Sequence, residues 1–259
     1  MPPSPLEPSP ETALARARDR IRSAARAFLL LDYDGTLVPF TATPDRARPD
    51  PALLDLLGRL AARPGFSVHV VSGRARGDLE AWLGDVPGGL HAEHGLWSRF
   101  RGEPWQAAAI GDLAWKPGAR AVLDEITSRT PGALIEEKTA GYAWHHRAVE
   151  APAGEVRARE LASRLSSLLA GAPVEVLVGN KVVEVRPRGV NKGLVVARVA
   201  DAAPEPGLFV ALGDDRTDED LFAALPRGSV AVHVGPGPSQ AGLRLAGVAE
   251  ARAFLSSLA

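Results

Sequence analysis

The apolar run Phe28-Leu29-Leu30-Leu31 breaks off in Asp32-Tyr33-Asp34-Gly35-Thr36, and this junction constrains the fold more than any other stretch. The run is short enough to be a single strand buried on both faces, the kind that parallel sheets contain. Two acids placed two residues apart along an extended chain point the same way. In an open α/β sheet, the carboxyl ends of the strands are where ligands bind. At that spacing the carboxylates repel each other unless a cation or a proton stands between them. The junction therefore admits a divalent-metal site, a nucleophile beside an acid/base, or both. Against these stands the plain alternative that Asp-Gly is a turn-forming pair.

The rest of the chain repeats the same unit. A helix is expected over 11–27, a strand over 28–33 and a loop or flap over 35–48. Leucines at 53, 54, 56, 57 and 60 give a helical face over 49–62 that ends before Pro64-Gly65. Phe66–Val71 is a β-branched strand that stops at Ser72-Gly73-Arg74. A helix over 76–83 and a strand over 90–94 follow. The pattern then changes to helix (117–129), hairpin (133–147, around Thr139-Ala140-Gly141), helix (155–169) and hairpin (174–186, turning at Gly179-Asn180). Alternation resumes with a helix at 191–201, a strand at 208–212, a helix at 218–225, a strand at 230–234 and a closing helix at 250–258. Strands alternating with helices predict an α/β fold with a doubly wound, mostly parallel sheet. The expected organisation is a disordered lead-in over 1–10, a core over 11–111 and 188–259, and an inserted α+β domain over 112–187.

Composition removes several function classes. The 259 residues suffice for one large or two modest cores. A formal net charge of −1 leaves no global basic field, so nucleic acid is not an expected partner. The absence of cysteine excludes disulfides, thiolate metal sites and a Cys nucleophile. No apolar run approaches membrane-spanning length, so no membrane partner is expected. Met1–Pro10 is Pro- and Ser-rich and lacks the basic-then-apolar order of a secretory signal. The expectation is a cytoplasmic monomer.

Four features fall on strand tips or helix starts: Asp32 with Asp34; Ser72 after Val70-Val71; Lys192 near a helix N-terminus; and Gly213-Asp214-Asp215-Arg216-Thr217-Asp218-Glu219-Asp220 after Phe209-Val210-Ala211-Leu212. Phosphate-ester hydrolysis uses all four. That reaction is among the slowest known without a catalyst, and enzymes accelerate it by up to ~10²¹-fold. It calls for a positioned nucleophile, proton transfer and charge neutralisation together. A carboxylate can attack phosphorus, and a second carboxyl can protonate the leaving oxygen and then activate water. Mg²⁺, which prefers oxygen ligands, can separate carboxylate from phosphate. Lys192 and Ser72 can meet the phosphoryl oxygens. Each part has an ordinary alternative: Ser72 as a turn cap, Lys192 as a solvated surface lysine, and the acidic run as a helix cap complementing the dipole.

On these residues the chain resembles the haloacid dehalogenase (HAD) superfamily, with its Rossmann-like core, and within it the trehalose-6-phosphate phosphatase family. The matching stretches are Asp32-Tyr33-Asp34-Gly35-Thr36-Leu37, Val71-Ser72-Gly73-Arg74 and Gly213 to Asp220. Glu93-His94-Gly95, Glu184-Val185-Arg186-Pro187 and Lys192-Gly193 add to them. The resemblance runs over roughly residues 28–235. It implies Asp32 as nucleophile and Mg²⁺ ligand, and Asp34 as general acid/base whose backbone carbonyl also meets the metal. It implies Asp214 as a further metal ligand with Asp215 and Asp218 close behind, and Ser72 and Lys192 holding the phosphoryl group. The insert becomes a cap over the sugar, with Glu136, Lys138, Arg147 and Glu184 as its sugar contacts. On the residues alone, those four read first as cross-strand ion pairs on a solvated sheet, and Arg74 either touches substrate or pairs with a nearby acid. The expected partner is a small sugar phosphate, with trehalose 6-phosphate first and sucrose phosphate or mannosyl-phosphoglycerate as rivals. A non-catalytic sugar-phosphate-binding module is the rival from another class. The chain departs from the family pattern at His145-His146-Arg147 and at Gly189-Val190-Asn191. Trp97, Trp105, Trp115 and Trp144 cluster near or within the insert, where packing or stacking on a sugar can use them.

Overall fold

Every residue of β1 (Ala27–Asp32) is buried, as its apolar sequence requires. Leu29 and Leu31 pack into one core layer and Phe28 and Leu30 into another, because successive side chains leave a strand on opposite faces. The computed structural model describes residues 9–259. The expected lead-in thus lies mostly outside the described residues. Its last two members, Ser9 and Pro10, are instead the N-cap and first residue of α1 (Pro10–Ser23).

The chain continues through α2 (Pro51–Ala62), β2 (Phe66–Val71), α3 (Arg76–Leu83), β3 (Gly89–Ala92), β4 (Trp97–Arg99) and β5 (Gln106–Ala107). It later re-enters the same sheet with α6 (Gly193–Ala202), β10 (Leu208–Gly213), α7 (Arg216–Ala224), β11 (Val230–Val234), β12 (Leu243–Leu245) and α8 (Val248–Ser256). Between them lie α4 (Lys116–Ser128), β6 (Leu134–Lys138), β7 (Gly141–His145), α5 (Ala153–Leu168), β8 (Val174–Gly179) and β9 (Val182–Pro187).

The large sheet has the order β12-β11-β10-β1-β2-β3-β4-β5. All neighbours from β12 to β3 are parallel; β4 and β5 add antiparallel at one edge. Leucines 53, 56, 57 and 60 of α2 join residues of α3 and α8 on one face, and Val195, Val196, Val199, Leu221 and Phe222 of α6 and α7 cover the other. The expected doubly wound α/β fold is what forms. Strand order reverses between β1 and β10, so Asp32 and Asp214 leave the sheet side by side at the switch point, where such sheets open a crevice.

Residues between β5 and α6 build a second, antiparallel sheet of order β6-β7-β9-β8. Its alternation is strict. Ile135, Tyr142, Trp144, Val183 and Val185 pack on α4 and α5, which leaves Glu136, Lys138, His145 and Glu184 on the opposite face.

Three short strands were not predicted. β4, β5 and β12 span three, two and three residues, too few to display a period of two. The third strand stops at Ala92 rather than His94, because Glu93 and His94 take left-handed backbone angles, φ 49° and 57°.

Candidate active site

Asp32 is the last residue of β1 and only 4% exposed. The chain then turns sharply: Gly35 N donates to Val38 O and Leu37 N to Tyr33 O. Gly35 has φ +84°, and a Cβ there would lie 2.2 Å from Asp214 Oδ2. Only glycine therefore lets the loop after β1 pass against the carboxylate that follows β10.

Lys192, placed at the N-terminus of α6, is buried between two acids. Its Nζ donates to Asp32 Oδ1 at 2.6 Å and to Asp218 Oδ1 at 2.7 Å. It is no surface lysine. One carboxylate oxygen from each of Asp32, Asp214 and Asp218 lies within 4.8 Å of the others. Three acids thus face one ammonium. Burial, then the Asp218 charge, pushes the Asp32 carboxyl up to about 7, with Lys192 opposing. Burial, then Asp32 and Asp218, pushes Asp214 up to about 10. Burial works against the Lys192 charge, but Asp218 and Asp32 outweigh it and hold the ammonium above its ordinary range. Asp32 Oδ2 is buried with no hydrogen-bond partner among the described residues. This electron-rich, all-oxygen set fits a hard divalent cation and offers nothing to a soft one.

The acids expected near a metal divide into distinct roles. Asp218 belongs to the three-carboxylate group, but Oδ1 is taken by Lys192 and Oδ2 accepts from Asp214 N and Asp215 N, so it shapes the loop that presents Asp214. Asp215 is the N-cap of α7 in a reciprocal capping box with Asp218, and its carboxylate is outside the group. Both residues thus cap α7, a role compatible with a place near a metal. The Asp34 side chain is also outside it, accepting from Arg74 Nε and Nη2 at 2.7 Å each. Arg74, expected among the substrate contacts, spends its remaining Nη1 on Pro44 O and lies 4.5 Å from the Trp82 ring centre. Of the two readings open for it, the pairing with a nearby acid is the one that forms, while its side chain also lines the cavity. Ser72 is buried after β2; its Oγ accepts from Arg74 N, which leaves its own O–H free to donate.

The insert covers this floor. Glu184 accepts from Lys138 Nζ at 2.6 Å and lies 3.1 Å from His94 Nε2; Glu136 lies 2.8 Å from His145 Nε2. Burial opposes the charge on Glu184, but Lys138 and His94 hold it well below the usual carboxylate range. Lys138 and Glu184 form an ion pair across the sheet, yet on an enclosed face: their side chains are 8% and 13% exposed. Arg147 donates to Asn180 O and lies over the Phe40 ring.

One cavity of about 160 Å³ is lined by all twelve expected residues: Asp32, Asp34, Ser72, Arg74, Glu136, Lys138, Arg147, Glu184, Lys192, Asp214, Asp215 and Asp218. Eleven further residues line it without a site role in the sequence reading, Phe40, His94, His145 and Asn180 among them. Asn180 marks a hairpin turn and His94 sits in a quoted motif, but nothing in the pattern aims either inward; Phe40 lies in an aperiodic loop. Trp97, Trp105, Trp115 and Trp144 all pack into cores and none lines the cavity.

Residues 30–246 match the trehalose-phosphatase family model. The chain is 42% identical over 248 residues to a bifunctional trehalose-6-phosphate synthase/phosphatase of Thermoproteus tenax, covering 96% of this chain and 34% of that protein. It is 38% identical over 209 residues to a trehalose-phosphatase of Schizosaccharomyces pombe, covering 78% and 26%. The chain thus spans about a third or less of these relatives' length. Among solved structures, the C-terminal domain of C. albicans trehalose-6-phosphate phosphatase superposes with a TM-score of 0.89 at 30% identity, covering 95% of this chain and 96% of that one.

Proposed function

The chain belongs to the trehalose-phosphatase family, and from that premise we propose that it hydrolyses trehalose 6-phosphate to trehalose and phosphate through a phosphorylated Asp32. One observation carries the reading: the Asp32–Lys192–Asp218 ion triad and the sugar-facing Glu136, Lys138 and Glu184 line the same cavity from opposite sides. A charged floor suits a phosphoryl group, and directional donors and acceptors above it suit a polyhydroxylated leaving group.

The residues divide the work. Asp32 Oδ1 is held by Lys192, so the unpartnered Oδ2 is the atom that attacks phosphorus. As that bond forms, the bond from phosphorus to the sugar oxygen breaks, and Asp34 gives that oxygen its proton. Asp34 then takes a proton from water, whose oxygen attacks phosphorus and frees Asp32. Lys192 and the Ser72 hydroxyl meet the phosphoryl oxygens. Asp32 and Asp214 would hold Mg²⁺ with Asp218 behind them, and the ion would offset the charge of carboxylate and phosphate. Residues 112–187 act as the cap, and the enzyme works as a cytoplasmic monomer.

Phosphate release measured across a panel of sugar phosphates tests the reading. Trehalose 6-phosphate is expected among the best substrates by kcat/KM, with activity lost on chelation. A clear preference for sucrose phosphate or mannosyl-phosphoglycerate would reassign the sugar; no turnover of any ester would leave a binding module.

A further inference from the structure

Glu93 and His94 are consecutive, buried and left-handed, a conformation that side-chain-bearing residues avoid unless surrounding contacts impose it. Those contacts run in two directions. Toward the floor, Glu93 N donates to Arg74 O and His94 N to Ser72 O, each at 2.9 Å. The His94 ring lies against Gly73, where a Cβ would come within 2.6 Å of it. Toward the insert, both Glu93 carboxylate oxygens are used on one residue: Oε2 accepts from Thr139 N at 2.9 Å and Oε1 from Thr139 Oγ1 at 2.8 Å. Trp97 Nε1 donates to the same Thr139 hydroxyl. His94 reaches Glu184, which is also bonded to Lys138, the neighbour of Thr139.

The two residues therefore touch the Ser72–Arg74 loop through their backbone and the His94 ring, and the insert through both side chains, Glu93 at the β6–β7 turn and His94 at the sugar-facing Glu184. We propose that Glu93 and His94 form a strap that ties the insert's grip on the sugar to the seat of the phosphoryl group, so that a phosphate ester bearing a sugar depends on the strap and one without a sugar does not. Glu93 and Thr139 are positioning residues: neither lines the substrate cavity. Without the strap, binding energy gained at the sugar no longer reaches the reacting centre, which lowers kcat as well as raising KM. The inference rests on the sugar-phosphatase reading above.

The test compares kcat and KM for trehalose 6-phosphate and for p-nitrophenyl phosphate in the full chain with Mg²⁺. Thr139→Val, which keeps volume and removes the hydroxyl, is expected to lower kcat/KM for the sugar phosphate by about tenfold, within the range of coupled contacts. It should leave the small ester within about twofold. Thr139→Ser should restore the sugar phosphate, and Glu93→Gln combined with Thr139→Val should be no worse than the poorer single variant. Equal losses on both esters, from a destabilised fold or otherwise, would overturn the strap, and so would full activity of both variants on the sugar phosphate. If another sugar phosphate proves preferred, the substrate assignment fails, and the strap is judged by the same comparison on that ester.

Discussion

Lys192 shows how much of this site rests on one side chain. Its ammonium is the only cation within hydrogen-bond reach of Asp32 and Asp218 among the described residues, and all three are buried. Removing one member of such a group leaves the others as uncompensated buried charges, at a cost of about 3–5 kcal/mol. Lys192→Met keeps much of the volume and removes the charge. It is expected to unfold about 3–5 kcal/mol more readily in chelator, by denaturant titration. Its kcat should fall at least about 10²-fold, because a donor to the developing charge is gone. Added Mg²⁺ should recover part of the stability, since it answers the same negative charge, without restoring kcat. Wild-type stability in this variant would mean that the ion triad contributes little. At this scale the strand-tip motif was legible: a buried apolar run ending in Asp-x-Asp leaves few places for its acids to go. The bidentate Asp34–Arg74 pair was legible only as an open choice, because nothing within either segment fixes the relative aim of two strand-end loops 40 residues apart.

At the scale of elements, helices with caps and strands buried on both faces were readable because their signals are local. β2, α3 and β11 formed over the expected residues. The element least legible was the start of α7, where five acids in seven residues serve several purposes at once. Spacing alone does not tell a metal ligand from a helix cap, since both want a carboxylate at the same helix N-terminus. In the fold, Asp214 faces Asp32, while Asp215 accepts from Arg216 N as the cap of α7. Asp215→Ala is therefore expected to cost about 1 kcal/mol of stability, with less than about a tenfold change in kcat and no change in the Mg²⁺ concentration giving half-maximal rate. A large rise in that concentration would return Asp215 to the metal. The turn at Glu93-His94 escaped the sequence reading for a different reason. A left-handed pair of side-chain-bearing residues has no local signature and is imposed by the partners on either side.

Across the whole molecule, the candidate active site exists only because two separated halves of the sheet and the insert between them converge on the switch point. Three acids drawn from two segments, the tip of β1 and the stretch from the tip of β10 into α7, then share a buried crevice, and their protonation becomes a property of the folded state. Their common value in an unfolded chain is near 3.8. In the fold, burial and mutual repulsion lift Asp32 to about 7 and Asp214 to about 10. An acid whose folded pKa lies above its unfolded value binds more protons folded than unfolded between the two, so its contribution to stability is complete below pH ~4 and lost as pH rises through that window. A Mg²⁺ ion held by these acids, as proposed above, would bind their ionised form and compete with those protons. Its stabilising effect should therefore be small at pH 5 and large at pH 8. At about a hundred times its Kd, linkage gives about 2.7 kcal/mol, or a rise in Tm of about 5–10 °C for a chain this size. Thermal melts with Mg²⁺ and with chelator at both values isolate the term, since every other titrating pair is common to the two. A Mg²⁺-induced shift that is equal at pH 5 and pH 8, or greater at the lower value, would show that the cluster is already ionised in the absence of a cation and that the crevice is wetter than its burial implies.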